Sequence, residues 1–257
     1  MGASLSPSEI LQWYLDAGVD EAIGEAPVDR FRAPKTPATP SRKRPPEPAA
    51  APPAFLQSAC DLAATAETLD DLGAVIEAFD GCALKKTATK TVFADGNPAA
   101  RIVFIGEAPG AEEDRRGLPF VGPSGKLLDR MLASIGLDRG NVLISNTVYW
   151  RPPGNRQPTP LEAAVCLPFV ERLMEIVDPD IVVALGGAAA KSVLALSKSV
   201  GSLRGRWFSY ATPRMPRPAQ ATVLYHPSYL LGSPAQKRNA WADLRSVRRK
   251  LDSLPEN

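Results

Sequence analysis

The chain of 257 residues has one histidine and three cysteines. A single histidine, His226, excludes any zinc site built on paired histidines, such as HExxH. The cysteines, Cys60, Cys82 and Cys166, are widely spaced and form no Cys-x-x-Cys pair. No signal-like hydrophobic segment opens the chain, so a reducing, cytoplasmic setting is expected. No apolar run reaches the ~18 residues that span a bilayer, and no membrane partner is expected. Gly-x-Ser-x-Gly is missing, which argues against a serine hydrolase of the nucleophile-elbow type. Gly-x-Gly-x-x-Gly is missing too, and Pro109 removes an amide that would cradle a phosphate, so a dinucleotide cofactor is not expected.

Net charge is only +2, which neither demands nor excludes nucleic acid. Its distribution is uneven. From Gly201 onward ten basic residues face three acidic ones, a surplus that suits either phosphate contact or a solvated basic face.

The hydrophobic fraction of 44% supports one core of roughly 170 to 200 residues, with segments attached. Residues 1–26 read as a short amphipathic helix, because Ser6-Pro7-Ser8-Glu9 has capping-box spacing with proline at the first helical position. Residues 27–54 read as an extended linker, since nine of the 26 prolines lie between Pro27 and Pro53 and cannot bury a core. Residues 55–257 form the compact domain. Within it, helices are expected over 55–65, 68–79, 124–135, 160–176 and 188–196. Short apolar runs at Arg101 to Gly106, Val142 to Asn146, Ile181 to Leu185 and Thr222 to Tyr225 read as buried parallel strands. The alternation predicts a three-layer α/β/α sandwich around a mainly parallel four-stranded sheet, with its site at the C-terminal strand ends.

Each of those ends carries something special: Gly106-Glu107-Ala108-Pro109-Gly110, Asn146, Gly186-Gly187, and His226-Pro227-Ser228. Taken singly, each has an ordinary reading as a turn, a cap or a helix start. Their joint placement points to one crevice. Read together with Leu118-Pro119-Phe120-Val121-Gly122, Ser145-Asn146, Arg151-Pro152-Pro153-Gly154-Asn155-Arg156 and His226-Pro227-Ser228-Tyr229-Leu230-Leu231, these motifs resemble the family 4 uracil-DNA glycosylases, from about Phe79 to Leu251.

The resemblance implies a monomeric enzyme of base excision repair. It would flip uracil from DNA, hydrolyse the N-glycosidic bond and release free uracil, working in the cytoplasm on nucleoid DNA. Glu107 and His226 would be catalytic. His226 would donate to O2 of the leaving base, and Glu107 would stabilise the cationic sugar or position water. Ala108, Glu113, Phe120, Asn146 and Asn155 would bind uracil: Phe120 stacking, Asn146 pairing with the O4 and N3–H edge, Glu113 crowding the C5 methyl of thymine. Ser124, Arg156, Ser228 and Leu230 would bind DNA, with Leu230 as the wedge filling the vacated stack; Tyr229 or Leu231 could replace it. Family 1 enzymes have an aspartate where this chain has Ala108 and a tyrosine where it has Gly110. A related family that traps DNA through a histidine in an inserted segment differs as well, because Gly117 runs straight into Leu118.

Family 4 members resemble one another in holding a four-iron, four-sulfur cluster on four cysteines. Their positions fall on Phe79, Cys82, Trp150 and Cys166 here. Two thiolates are missing, so no cluster and no metal are expected, with Phe79 and Trp150 packing into the vacated space for roughly 2 to 3 kcal/mol each. Two other classes stay open on the sequence alone: a non-catalytic binder of uracil-containing or abasic DNA, and a small-molecule nucleotide-binding protein.

Overall fold

A computed structural model describes residues 54–255, together with Ser8. The expected N-terminal helix and proline-rich linker lie outside the described residues. The described residues from Ala54 onward hold the sheet, its helices and the crevice.

Six strands make one sheet: β1 (Ala94–Gly96), β2 (Ile102–Gly106), β3 (Leu143–Asn146), β4 (Ile181–Leu185), β5 (Phe208–Tyr210) and β6 (Ala219–Leu224). Their spatial order is β1-β3-β2-β4-β6-β5. The four expected strands form the parallel centre, β3-β2-β4-β6. The sheet is wider than expected because β1 and β5 pair antiparallel at its two edges. Each has only three residues, and Ala94-Asp95-Gly96 has little intrinsic strand preference, so neither stands out in a hydropathy pattern.

β2 (Ile-Val-Phe-Ile-Gly) and β4 (Ile-Val-Val-Ala-Leu) are buried along their whole length, as strands covered on both faces must be. Alternate residues point to opposite sides. Val103, Ile105, Val182, Ala184, Ala221 and Val223 join one core cluster, while Ile102, Phe104, Ile144, Ile181, Val183 and Leu224 join the other. The first is covered by α1 (Ala54–Thr65), α2 (Leu69–Ala78), α5 (Pro160–Val177) and α6 (Gly187–Leu194). On the second side lie α4 (Pro123–Ala133), α8 (Pro227–Gly232) and α9 (Lys237–Ser253). Two short helices, α3 (Ala111–Arg116) and α7 (Val200–Leu203), lie in the connections.

Helix starts are written locally. Thr68 and Asp71 exchange side-chain and backbone bonds (3.1 and 3.0 Å), closing a capping box on α2. Thr159 and Glu162 do the same on α5, ahead of Pro160 at the first helical position. This cap also fixes the end of the Arg151–Arg156 loop, which borders the strand ends. β3 lies on one side of β2 and β4 on the other. The chain thus reverses its direction of travel across the sheet at β2, which opens a crevice at its C-terminal end.

Candidate active site

The crevice holds a cavity of about 950 Å³. Glu107, Ala108, Glu113, Phe120, Ser124, Asn146, Asn155, Arg156, His226 and Ser228 all line it. The ends of β2, β3 and β6, the segment from α3 to the start of α4 and the Arg151–Arg156 loop deliver them, and Gly186 and Gly187 after β4 line the same cavity. Gly106 is in register with Asn146 across β2 and β3, and the Gly186 amide bonds the Leu224 carbonyl two residues before His226 (2.8 Å).

The floor of the cavity depends on a missing side chain. A Cβ on Gly106 would overlap Asn146 Oδ1 and come within 2.6 Å of the Phe120 ring. Asn146 is buried at the tip of β3, so its amide edge and the Phe120 ring meet at this point.

Phe120 has φ 53°, a left-handed conformation that costs a bulky residue about 1–3 kcal/mol. The surroundings hold it there. Arg139 donates to the carbonyls of Pro119 (3.1 Å) and Phe120 while pairing with Asp129 (2.9 Å) and Asp95. Gly125, in the first turn of α4, admits the Phe120 carbonyl where a Cβ would collide with it. Arg139 was invisible in the sequence, because it acts on a loop 19 residues away and belongs to no motif.

Glu113 is more occupied than expected. One carboxylate oxygen accepts the Val121 and Gly122 amides (2.9 and 2.8 Å), and the other accepts the Gly110 amide (3.2 Å). It ties the loop after β2 to the loop that carries Phe120. Glu107 is half-buried, and burial pushes its carboxyl pKa up. Its carbonyl accepts the Thr147 hydroxyl (2.8 Å) and the Val148 amide (3.1 Å), which anchor it to the segment after β3. Thr147 likewise belongs to no motif; its place directly after the strand ending at Asn146 is the only signal in the sequence.

His226 precedes α8, and its ring stands 5.6 Å from that of Phe120, centroid to centroid. The Ser228 amide donates to His226 Nδ1 (3.1 Å). An amide can only donate, so Nδ1 is the acceptor and Nε2 carries the proton. Burial pushes the pKa down to about 4, against the opposing pull of the Glu113 carboxylate. At neutral pH the ring is therefore an uncharged donor.

The loop Arg151–Arg156 is partly self-satisfied. Arg151 donates to Asn155 Oδ1 (2.7 Å), which leaves the amide NH₂ of Asn155 for another partner. The Arg156 guanidinium grips Glu162 with two bonds (2.8 and 2.7 Å) and holds that carboxyl at about 2. A DNA phosphate would have to compete with that pair. Ser124 lies inside α4 rather than at its cap, which is Gly122.

Leu230 requires a correction. It is 1% exposed and sits in the core cluster under α4 and α9, so it is not a surface wedge. On the short helix α8, its neighbours Tyr229 (46%) and Leu231 (45%) are the ones that face outward. Side chains one position apart on a helix point in different directions, and the sequence did not settle which one turned in.

Phe79, Cys82, Trp150 and Cys166, the positions to which the family 4 resemblance assigns a cluster, all lie in the core cluster covered by α1, α2 and α5. Cys82 and Cys166 are buried close to one another; the neighbouring Cys82 thiol, with burial, holds Cys166 as a neutral thiol well above the usual range. Phe79 meets Phe169 edge-on at 5.1 Å and lies over Gly81, where a Cβ would strike its ring. Trp150 is 1% exposed, and its indole N–H donates to Thr91 Oγ1 (3.1 Å). Among the described residues no three His, Cys, Asp or Glu side chains group as a metal site. Two thiols flanked by two packed rings do not fit a cluster that needs four thiolates.

The family model of the Uracil DNA glycosylase superfamily matches residues 93–245. The chain is 39% identical to the Type-4 uracil-DNA glycosylase of Archaeoglobus fulgidus over 185 residues, covering 70% of this chain and 92% of that protein. It is 38% identical to the Type-4 uracil-DNA glycosylase of Thermotoga maritima, over 70% of this chain and 89% of that one. Against the Type-4 enzyme of Saccharolobus solfataricus the identity is 36%, over 74% and 89%.

The depressed histidine predicts a pH signature. Unfolded, His226 takes up a proton near pH 6.5, while the folded ring resists protonation to about 4. Its contribution to stability is therefore complete above pH 6.5 and is lost as pH falls through 4. Urea midpoints of wild type and His226→Phe should diverge in their pH dependence only below about 6.5. Parallel curves from pH 7.5 to 4.5 would show that the ring titrates normally.

Proposed function

The chain belongs to the uracil-DNA glycosylase superfamily, and from that premise we propose that it excises uracil from DNA in base excision repair, leaving an abasic site. The observation that carries this reading is the convergence of the Asn146 amide, the Phe120 ring and the neutral His226 donor in one cavity.

An extruded uracil stacks on Phe120, and the Asn146 amide pairs with its O4 and N3–H. Cytosine presents the reverse pattern and leaves a buried amide unpaired, which a polar site penalises heavily. As the C1′–N1 bond breaks, its electron pair leaves with the base, and the His226 Nε2–H donates to the O2 on which that charge collects. The Glu107 carboxylate faces the cationic sugar and orients the water whose oxygen adds to C1′. The raised pKa of Glu107 suits it to share that water's proton. Glu113 closes the C5 side while its oxygens brace the two loops, and Ala108 and Asn155 complete the uracil site. Ser124, Arg156 and Ser228 meet phosphates at the rim, Arg156 by exchanging Glu162 for DNA. Tyr229 and Leu231, being exposed, take the wedge role.

We further propose that the enzyme works without an iron-sulfur cluster, as a cytoplasmic monomer acting on nucleoid DNA. Support for the first comes from Phe79 and Trp150, whose rings fill the positions of two cluster ligands. No helix among the described residues is long and apolar enough to cross a membrane.

A uracil-containing oligonucleotide, incubated with the protein and then treated with alkali, should break at the uracil. A mobility shift without breaks would instead identify a non-catalytic binder. His226→Phe should slow excision by about 10²–10³, the usual effect of losing one such donor. Asn146→Asp should admit cytosine through its protonated carboxyl, and strict uracil activity in that variant would refute the pairing role. Purified protein should be colourless; brown protein with stoichiometric iron would contradict the cluster-free reading.

A further inference from the structure

The cavity continues past Glu107. A second cavity, of about 790 Å³, shares Glu107, Gln157, Pro158, Gly187, Ala188 and Ser199 with the first. The two form one trough, and Glu107 stands at the junction. A single extruded nucleotide does not need this space, since the first cavity alone is at the upper end of what a drug-sized ligand occupies.

The far arm has a distinct chemistry. Lys191 and Lys198 line it, with Ser192 and Ser197, and its only carboxylate is Glu107 at the shared wall. Among the described residues neither lysine is ion-paired, whereas Arg156 and Arg204 are paired with Glu162 and Asp243. Helical register explains the placement. Gly187 and Ala188, in the first turn of α6, line both arms, and Lys191 follows four and three residues later on the same face. That puts it about one turn, roughly 5 Å, farther along α6 than the residues that line both arms, and outside the first cavity. Lys198 enters from the loop after α6.

We propose that this arm carries the phosphodiester backbone of the DNA strand on one side of the extruded nucleotide, with Lys191 and Lys198 each neutralising a phosphate. The enzyme would then hold the substrate strand asymmetrically, tracking one flank along α6. This rests on the uracil-excision reading of the cavity. Neither lysine reaches the reacting centre, so both act on binding and leave the chemical step alone.

The test uses single-stranded oligonucleotides with one uracil near the 5′ end or near the 3′ end, so that the long flank lies on one side only. Affinity is measured by fluorescence anisotropy at several salt concentrations, alongside KM and kcat for excision. In Lys191→Ala/Lys198→Ala, binding of one polarity should weaken, and its log–log salt slope should fall by about 1.4, two single-strand phosphates at about 0.7 each. Binding of the other polarity and kcat should be unchanged. Lys86→Ala, an exposed lysine outside both arms, should leave both slopes intact. Unchanged slopes in the double variant, or equal losses for both polarities, would overturn the proposal. Anisotropy reads the strand contact whether or not the base is cut, so a failure of excision would count against the function and not against this arm.

Discussion

The site depends on a close approach at the end of β2. Gly106 has no side chain, and for that reason the Asn146 amide and the Phe120 ring can meet over one point of backbone. One is delivered by an adjacent strand in fixed register, the other by a loop in a strained conformation. A strand tip is rigid by construction. A strained loop is not, and much of the surrounding chemistry serves to hold it: Arg139 on two carbonyls, Glu113 on two amides, and Gly125 leaving room for the Phe120 carbonyl. An aromatic platform that is already in place avoids an ordering cost at the moment the base arrives.

Electrostatics derive from the same enclosure. Burial depresses the His226 pKa and raises that of Glu107, so one group is a neutral donor and the other a carboxylate with a heightened affinity for protons. The Ser228 amide fixes the histidine tautomer without any acidic partner. The chamber holds carboxylates, Glu107 and Glu113 among them, whereas positive charge stands at the rim in Arg156 and in the lysines of the far arm. Such a layout separates recognition of the base edge, which rests on the neutral Asn146, Phe120 and His226, from capture of the strand, which is governed by phosphate charge.

Much of this was legible in the sequence, because the site residues sit at strand ends and strand ends announce themselves. The runs leading to Gly106, Asn146, Leu185 and Leu224 are mostly apolar, and the residues that close or succeed each run are polar or conformationally special. The edge strands β1 and β5 were missed because three residues carry no period. Leu230 was misplaced because a six-residue helix leaves its facing undetermined until it packs. Arg139, Thr147 and the ties made by Glu113 join segments distant in sequence, and their residue types are common on any surface. Phe79 and Trp150 stand where the family resemblance expects cysteines, and both are buried in the same core as Cys82 and Cys166.

The most direct test is Gly106→Ala. The added methyl must displace the Asn146 oxygen or the Phe120 ring, and the cost to the fold should stay within about 1–3 kcal/mol. Single-turnover excision of uracil by the folded variant should fall at least about a hundredfold, as a displacement on the order of 1 Å does in other pockets. A folded Gly106→Ala protein that excises uracil at the wild-type rate would contradict the account.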